Sequence, residues 1–135
     1  MNEPGALPTA AAIVAAALCV GIVAFQLALA GGAPWGRAAY GGQRAELPVR
    51  LRVSSAVAAV VWAGFALVVL RRVQLVGWAP LPDGWLPAAV WVGVALGAAA
   101  VVLNAITRSR VERAVWLPTS ALLLAATVTL ALTAG

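Results

Sequence analysis

The sequence predicts an all-α membrane protein, an up-down bundle of four transmembrane helices in a single domain over residues 1–135. Hydrophobic residues make up 64% of the chain and charged residues only 10%, whereas a soluble domain carries roughly a quarter charged residues. The mean hydropathy is +1.00. The apolar residues form four long runs between short polar segments, and each run has about the 20 residues that cross a bilayer.

The first two runs are continuous and do not alternate with polar residues, which favours helices over a membrane β-barrel. The first covers residues 9–30 without a charge. Its end, Ala28-Leu29-Ala30, resembles a signal-peptide cleavage site, but no basic residue precedes the run, so we expect a retained helix. The second covers residues 48–70, because Pro48 is suited to a first helical turn.

The third run, residues 85–107, is also uncharged, and the fourth covers residues 110–134. Ser109 and Glu112 have the spacing of a capping box, which predicts that the fourth helix starts there. Pro118 removes one backbone hydrogen bond and therefore predicts a kink in that helix. In the alternative, the membrane helix begins only at Pro118.

The basic residues are all arginines and give a net charge of +5. Seven flank the first and third connections, and two follow the second helix. The positive-inside rule therefore predicts that loops 31–47 and 108–113 are cytoplasmic and that both termini lie outside. A composition rich in Ala, Gly and Val without Lys suggests a bacterial source, hence a bacterial inner membrane. The seven are Arg37, Arg44, Arg50, Arg52, Arg108, Arg110 and Arg113.

Missing residue types exclude several kinds of site. The chain has no His and one cysteine, Cys19, so it has no internal disulfide, no His-based triad and too few ligands for structural zinc. No acidic residue falls within a predicted span, which disfavours a proton-coupled carrier. We expect no cofactor and no catalytic residue. Because the arginines flank apolar runs, we expect anionic lipid head groups rather than nucleic acid as partners.

The segment after the first helix, GGAPWGRAAYGGQRAELPVRLR, combines a glycine-rich backbone with four arginines. Guanidinium groups bind phosphate through paired hydrogen bonds, so this segment is a candidate lipid or anion site. The alternative is a tight connector whose arginines only set the topology. Glu46 and Glu112 are placed to pair with neighbouring arginines, at little energetic gain. The four candidate residues are Arg37, Arg44, Arg50 and Arg52.

Two amides and a glycine motif stand out within the spans. Gln26 and Asn104 fall at a similar depth, where they would hydrogen-bond across helices or line a polar site. Gly93 and Gly97 form a GxxxG motif, which lets two helices approach closely, in one chain or between subunits. The same spacing of small residues recurs at Ala17 and Gly21, at Ser55, Ala59 and Ala63, and at Ala121 and Ala125.

The chain resembles an uncharacterised family of small bacterial four-helix membrane proteins. The resemblance rests on GAPWG at residues 32–36, the Gly41-Gly42 pair, Leu47-Pro48, and SRxER at residues 109–113 followed by Pro118. It extends through all four spans. It implies the four-helix topology and no activity, substrate or catalytic residue.

Three functions remain open from the sequence. The first is a non-catalytic membrane protein that binds lipid or partner proteins, which the missing catalytic residues favour. The second is a small oligomeric transporter or channel, which the GxxxG motif and the two amides favour. The third is a membrane enzyme that holds a lipid phosphate between arginines.

Overall fold

A computed structural model describes residues 3–134, and it is all-helical there. Short 3-10 turns occur at Gly36–Ala38, Tyr40–Gly42 and Asp83–Trp85. All four long helices have the length and apolar composition needed to cross a membrane, so the predicted fold class is confirmed. The helices are α1 (Ala6–Ala30), α2 (Val49–Arg72), α3 (Leu86–Ile106) and α4 (Arg110–Thr133).

The end of α1 and the start of α4 lie where predicted, and the other helix ends differ from the predicted bounds by one to three residues. Helix α1 starts at Ala6, because Pro8 lies in its first turn, where a missing N–H breaks no helical hydrogen bond. Pro48 is the N-cap of α2 and not its first residue. Helix α2 continues to Arg72, since the long arginine side chains can keep their charges at the membrane surface.

Helix α4 starts where the capping pattern predicts. The Ser109 hydroxyl accepts a hydrogen bond from the backbone N–H of Glu112 at 3.1 Å. The helix then runs without interruption past Pro118 to Thr133. The alternative in which residues 109–117 form only a short turn before a helix that begins at Pro118 is therefore wrong, because residues 110–117 are already helical.

Helix α1 is the centre of the bundle and packs against both α2 and α4, while α3 packs mainly against α4. Its buried face is made of small residues, and Ala12, Ala15 and Cys19 have no exposed surface. Small side chains at a spacing of three or four residues let helix backbones approach closely. Of the helix pairs that pack as neighbours, α2 and α3 touch least, and a groove lies along the seam between them.

Two pairs of small residues predicted to pack are not in that core. Ala17, Gly21, Ala121 and Ala125 are all exposed, and a methyl group added at Gly21 would meet no atom within 4 Å. The expectation that these pairs mediate packing within the chain was wrong. Helix α1 has alanines on every side, so spacing alone does not distinguish the buried face from the exposed one.

The two ends of the bundle differ in their connections. At one end, loop one (residues 31–48) folds over the start of α4: Ser109 Oγ donates to the Arg37 carbonyl at 2.7 Å, and Trp116 Nε1 donates to the Ala38 carbonyl at 2.7 Å. We call this the loop-one end. The opposite end holds the α2–α3 connection and the start of α1, and we call it the loop-two end.

Candidate functional site

The net charge of the protein is concentrated at the loop-one end. At the loop-two end, Arg71 donates to both carboxylate oxygens of Asp83 at 3.1 and 3.0 Å, and Arg72 donates to the Ala134 carbonyl at 2.7 Å. Glu3 balances the charge of Arg72, which makes this end formally neutral. Seven arginines and two glutamates remain at the loop-one end, and they account for the whole +5.

Two of the four candidate arginines hold loop one in shape. The guanidinium of Arg37 donates from Nη1 to the carbonyls of Gly42 and Gln43, both at 3.0 Å. The guanidinium of Arg52 donates from Nε to the Ala30 carbonyl, the last of α1, at 3.1 Å. A cation at the C-terminus of a helix is also favoured by the helix dipole. The guanidinium groups of Arg37 and Arg52 therefore stabilise the fold by binding backbone carbonyls.

The other two candidates, Arg44 and Arg50, line a pocket of about 350 Å³ between loop one and the start of α2. Both side chains are exposed, and neither guanidinium group forms a hydrogen bond or ion pair with any residue from 3 to 134. The first turn of α2, which has no side-chain cap, completes the wall. Helix N-termini attract anions. The pocket therefore has the chemistry of a phosphate site.

A second cavity, which we call the chamber, lies beside this pocket and is bounded by all four helices and by loop one. It has a volume of about 350 Å³, and both Gln26 and Asn104 line it. The predicted bond between the two amides is not formed. Asn104 Nδ2 donates instead to Ser120 Oγ at 3.2 Å and to the Trp116 carbonyl at 3.4 Å, and so links α3 to α4.

The chamber contains hydrogen-bond acceptors that the protein leaves unfilled. Gln26 Oε1 is buried without a partner. Glu112 Oε2 accepts the backbone N–H of Gly41 at 3.1 Å instead of completing the capping box. Within residues 3–134 the sole ion pair is Arg71–Asp83, so the expected pairing of Glu112 with an arginine is wrong.

The GxxxG motif contacts two different helices of the same chain. A Cβ at Gly93 would clash with the ring of Phe65 on α2, whereas a Cβ at Gly97 would lie 3.5 Å from Leu124 on α4. Both glycines thus serve packing inside the bundle. Gly97 also lines the chamber.

An apolar groove of about 840 Å³ follows the α2–α3 seam towards the loop-two end. Its walls come from the middle of α2 and the first half of α3, and they include Phe65 and Gly93. Trp62 lines both the groove and the chamber. Its ring meets that of Phe65 edge to face, with centroids 6.1 Å apart. The chamber and the groove are therefore neighbours along one seam.

Sequence reasoning missed Tyr40, which lines both the basic pocket and the chamber. Its hydroxyl forms a hydrogen bond with Ser55 Oγ at 3.0 Å and donates to the Leu51 carbonyl at 3.3 Å. Its φ of +49° is rare for a residue with a side chain. The adjacent Gly41-Gly42 pair was a signal for such a turn, but nothing in the sequence said where the ring would dock.

No family model matches the chain, and the searches of curated proteins and of solved structures found no match either. The resemblance of loop one to a family of four-helix membrane proteins therefore stays a prediction. Function has to be argued from the pocket, the chamber and the groove.

Proposed function

We propose that this multi-pass membrane protein binds an anionic phospholipid at its loop-one end and catalyses no reaction. The observation that carries the proposal is the pair Arg44 and Arg50, two unpartnered guanidinium groups on one pocket. The phosphate of a lipid supplies the acceptors that guanidinium groups prefer. The exposed side chains of Val49 and Val53 at the start of α2 offer apolar surface to the acyl chains.

We further propose that the loop-one end faces the cytoplasm of a bacterial cell and that the protein lies in the inner membrane. Seven arginines at the loop-one end against two, Arg71 and Arg72, at the loop-two end support this orientation through the positive-inside rule, which counts basic residues and not net charge. Anionic lipids at the cytoplasmic surface attract such a basic end.

The strength of the interaction can be bounded. A basic residue near an anionic lipid surface contributes about 1 kcal/mol. Loss of both Arg44 and Arg50 therefore costs about 2 kcal/mol of binding free energy, which is roughly a 30-fold weaker affinity. Arg37 and Arg52 make their hydrogen bonds within the fold, so they are unsuitable for a clean test.

The test is a titration of the delipidated protein with phosphatidylglycerol and with phosphatidylcholine of the same acyl chains, followed by native mass spectrometry. The wild type should prefer phosphatidylglycerol, and the double variant Arg44→Gln/Arg50→Gln should lose that preference. The matched control is Arg108→Gln/Arg110→Gln, which removes the same charge at the same end but lies outside the pocket. Equal losses in both variants, or no preference in the wild type, would refute the pocket.

The two alternatives from the sequence fare differently. The GxxxG motif was the main argument for an oligomeric transporter or channel, and both of its glycines pack inside the chain. The motif therefore no longer favours that function, and of its two arguments only the amides Gln26 and Asn104, which line the chamber, remain. An enzyme acting on a lipid phosphate would use the same arginines. The titration also distinguishes a lipid-binding protein from such an enzyme, because chemical turnover of the bound lipid would show catalysis in place of simple binding.

A further inference from the structure

We propose that the chamber binds the ammonium group of an aminophospholipid such as phosphatidylethanolamine, with an acyl chain in the α2–α3 groove. The chamber and the groove have a role distinct from that of the basic pocket. The inference goes beyond anionic-lipid binding and does not depend on it.

The hydrogen-bond acceptors that line the chamber require a ligand that donates hydrogen bonds. Gln26 Oε1 is buried without a partner, and a buried acceptor left unfilled costs free energy. Glu112 uses one carboxylate oxygen for the Gly41 N–H, and no hydrogen bond within residues 3–134 engages the other. The Asn104 amide already donates to α4, so its oxygen is a further acceptor on the chamber wall.

Glu112 is the one charged residue among the described residues that line the chamber, so the local charge favours a positively charged donor although the loop-one end as a whole is basic. The Glu112 carboxylate is only partly exposed and forms no ion pair within the described chain, although seven arginines lie at the same end. Aromatic rings complete the wall: Phe25 packs edge to face on Trp116 with centroids 4.7 Å apart, and Trp62 lies across the chamber. Aromatic faces attract cations. A primary ammonium group satisfies both the carboxylate and the rings.

The surroundings of the chamber indicate a lipid rather than a soluble amine. The chamber extends from loop one to the middle of the helices, and the groove begins at Trp62 and runs towards the other end. Ser54 in the chamber and Val68 in the groove are separated by roughly 20 Å along α2, from a rise of about 1.5 Å per residue. That distance exceeds the half-thickness of the hydrocarbon core, about 15 Å. One acyl chain therefore fits along the seam.

The predicted selectivity is for N–H donors. Phosphatidylethanolamine and phosphatidylcholine carry the same charges, but only the former has N–H groups to donate to Gln26 and Glu112. Loss of one hydrogen bond to a charged group corresponds to about a tenfold change in affinity. Both lipids also carry the same phosphate, so the comparison isolates the ammonium group.

The experiment is native mass spectrometry of the delipidated protein with these two lipids, matched in acyl chains. We expect the wild type to bind phosphatidylethanolamine about tenfold more tightly. Glu112→Gln, which can still accept from Gly41, and Gln26→Leu should each abolish the preference. Glu46→Gln is the matched control, because it removes an exposed carboxylate at the same end that does not line the chamber.

Equal binding of the two lipids by the wild type would overturn the inference, as would an equal effect of Glu46→Gln and Glu112→Gln. Helix content from far-UV circular dichroism and retained binding of phosphatidylglycerol show that each variant is folded. The phosphatidylglycerol titration also separates the two proposals. If the wild type shows no preference for phosphatidylglycerol but still prefers phosphatidylethanolamine, the proposal for the basic pocket is refuted and that for the chamber is supported. If it prefers phosphatidylglycerol but does not distinguish phosphatidylethanolamine from phosphatidylcholine, the proposal for the chamber is refuted and that for the basic pocket is supported.

Discussion

Replacement of Gly42 by alanine should loosen loop one from α4. Gly42 has a φ of +72°, and an added methyl group would clash with the side chain of Ser109 and lie 2.8 Å from the Arg37 carbonyl. Ser109 makes two hydrogen bonds at this point: its hydroxyl donates to Arg37 at 2.7 Å and accepts from Glu112 N–H at 3.1 Å. The methyl group and these bonds cannot occupy the same space.

The magnitude follows from three terms. A left-handed conformation costs an alanine about 1–2 kcal/mol. Loss of the Ser109 cap costs about 1 kcal/mol, and loss of its bond to Arg37 costs about 1 kcal/mol. Together, Gly42→Ala should lower the free energy of unfolding by about 3–4 kcal/mol. Gly41 is the matched control, because it has a φ of +80° with no atom near an added Cβ. Gly41→Ala should cost the strain alone.

The assay is SDS-induced unfolding in mixed micelles, followed by circular dichroism. A third variant tests the cause: glycine at an N-cap is only a few tenths of a kcal/mol worse than serine, so Ser109→Gly should recover about 0.5–1 kcal/mol in the Gly42→Ala background, because it restores the cap but neither relieves the strain nor replaces the bond to Arg37. A difference below about 0.5 kcal/mol between the two alanine variants, within the error of additive sites, would refute the reasoning. So would the absence of rescue.

Two further predictions concern packing and sidedness. Gly93→Ala should destabilise the bundle by about 1–3 kcal/mol through overpacking, whereas Gly97→Ala should be nearly neutral, since its methyl would make an ordinary contact; equal effects in the same SDS unfolding would contradict this. Cysteines at Gln43 and Gly77 test the orientation, because buried Cys19 gives no background. A membrane-impermeant maleimide should label Gly77→Cys in intact cells and Gln43→Cys only after lysis, and the reverse would invert the topology.

Composition and the lengths of the apolar runs were enough to predict the fold class. Four uncharged or nearly uncharged runs in a chain with 10% charged residues leave few alternatives, since backbone polar groups in lipid must bond within the segment. The start of α4 could also be predicted, because Ser109 and Glu112 have the spacing of a helix N-terminal capping pattern. Local chemistry acts over three or four residues and is visible in one sequence.

The sequence did not reveal which arginines stabilise the fold and which are left for a ligand. Arg37 and Arg52 bond to carbonyls of loop one and α1, whereas Arg44 and Arg50 remain on the pocket. All four have the same chemistry, and they differ only in which acceptors the folded loop brings near. The sequence therefore predicted a basic segment but not which guanidinium groups are left for a ligand.

The amino-acid sequence by itself determined that this chain belongs in a bilayer, that it forms four helices, and that its positive charge gathers at one end, because hydropathy and charge are properties of the residues themselves. Only the tertiary structure decided which small faces pack, that Gln26 and Glu112 share a chamber, and that a groove opens between α2 and α3. In a helix that is apolar on every side, the sequence does not distinguish a neighbouring helix from lipid, so side-chain partners are set by how the helices meet.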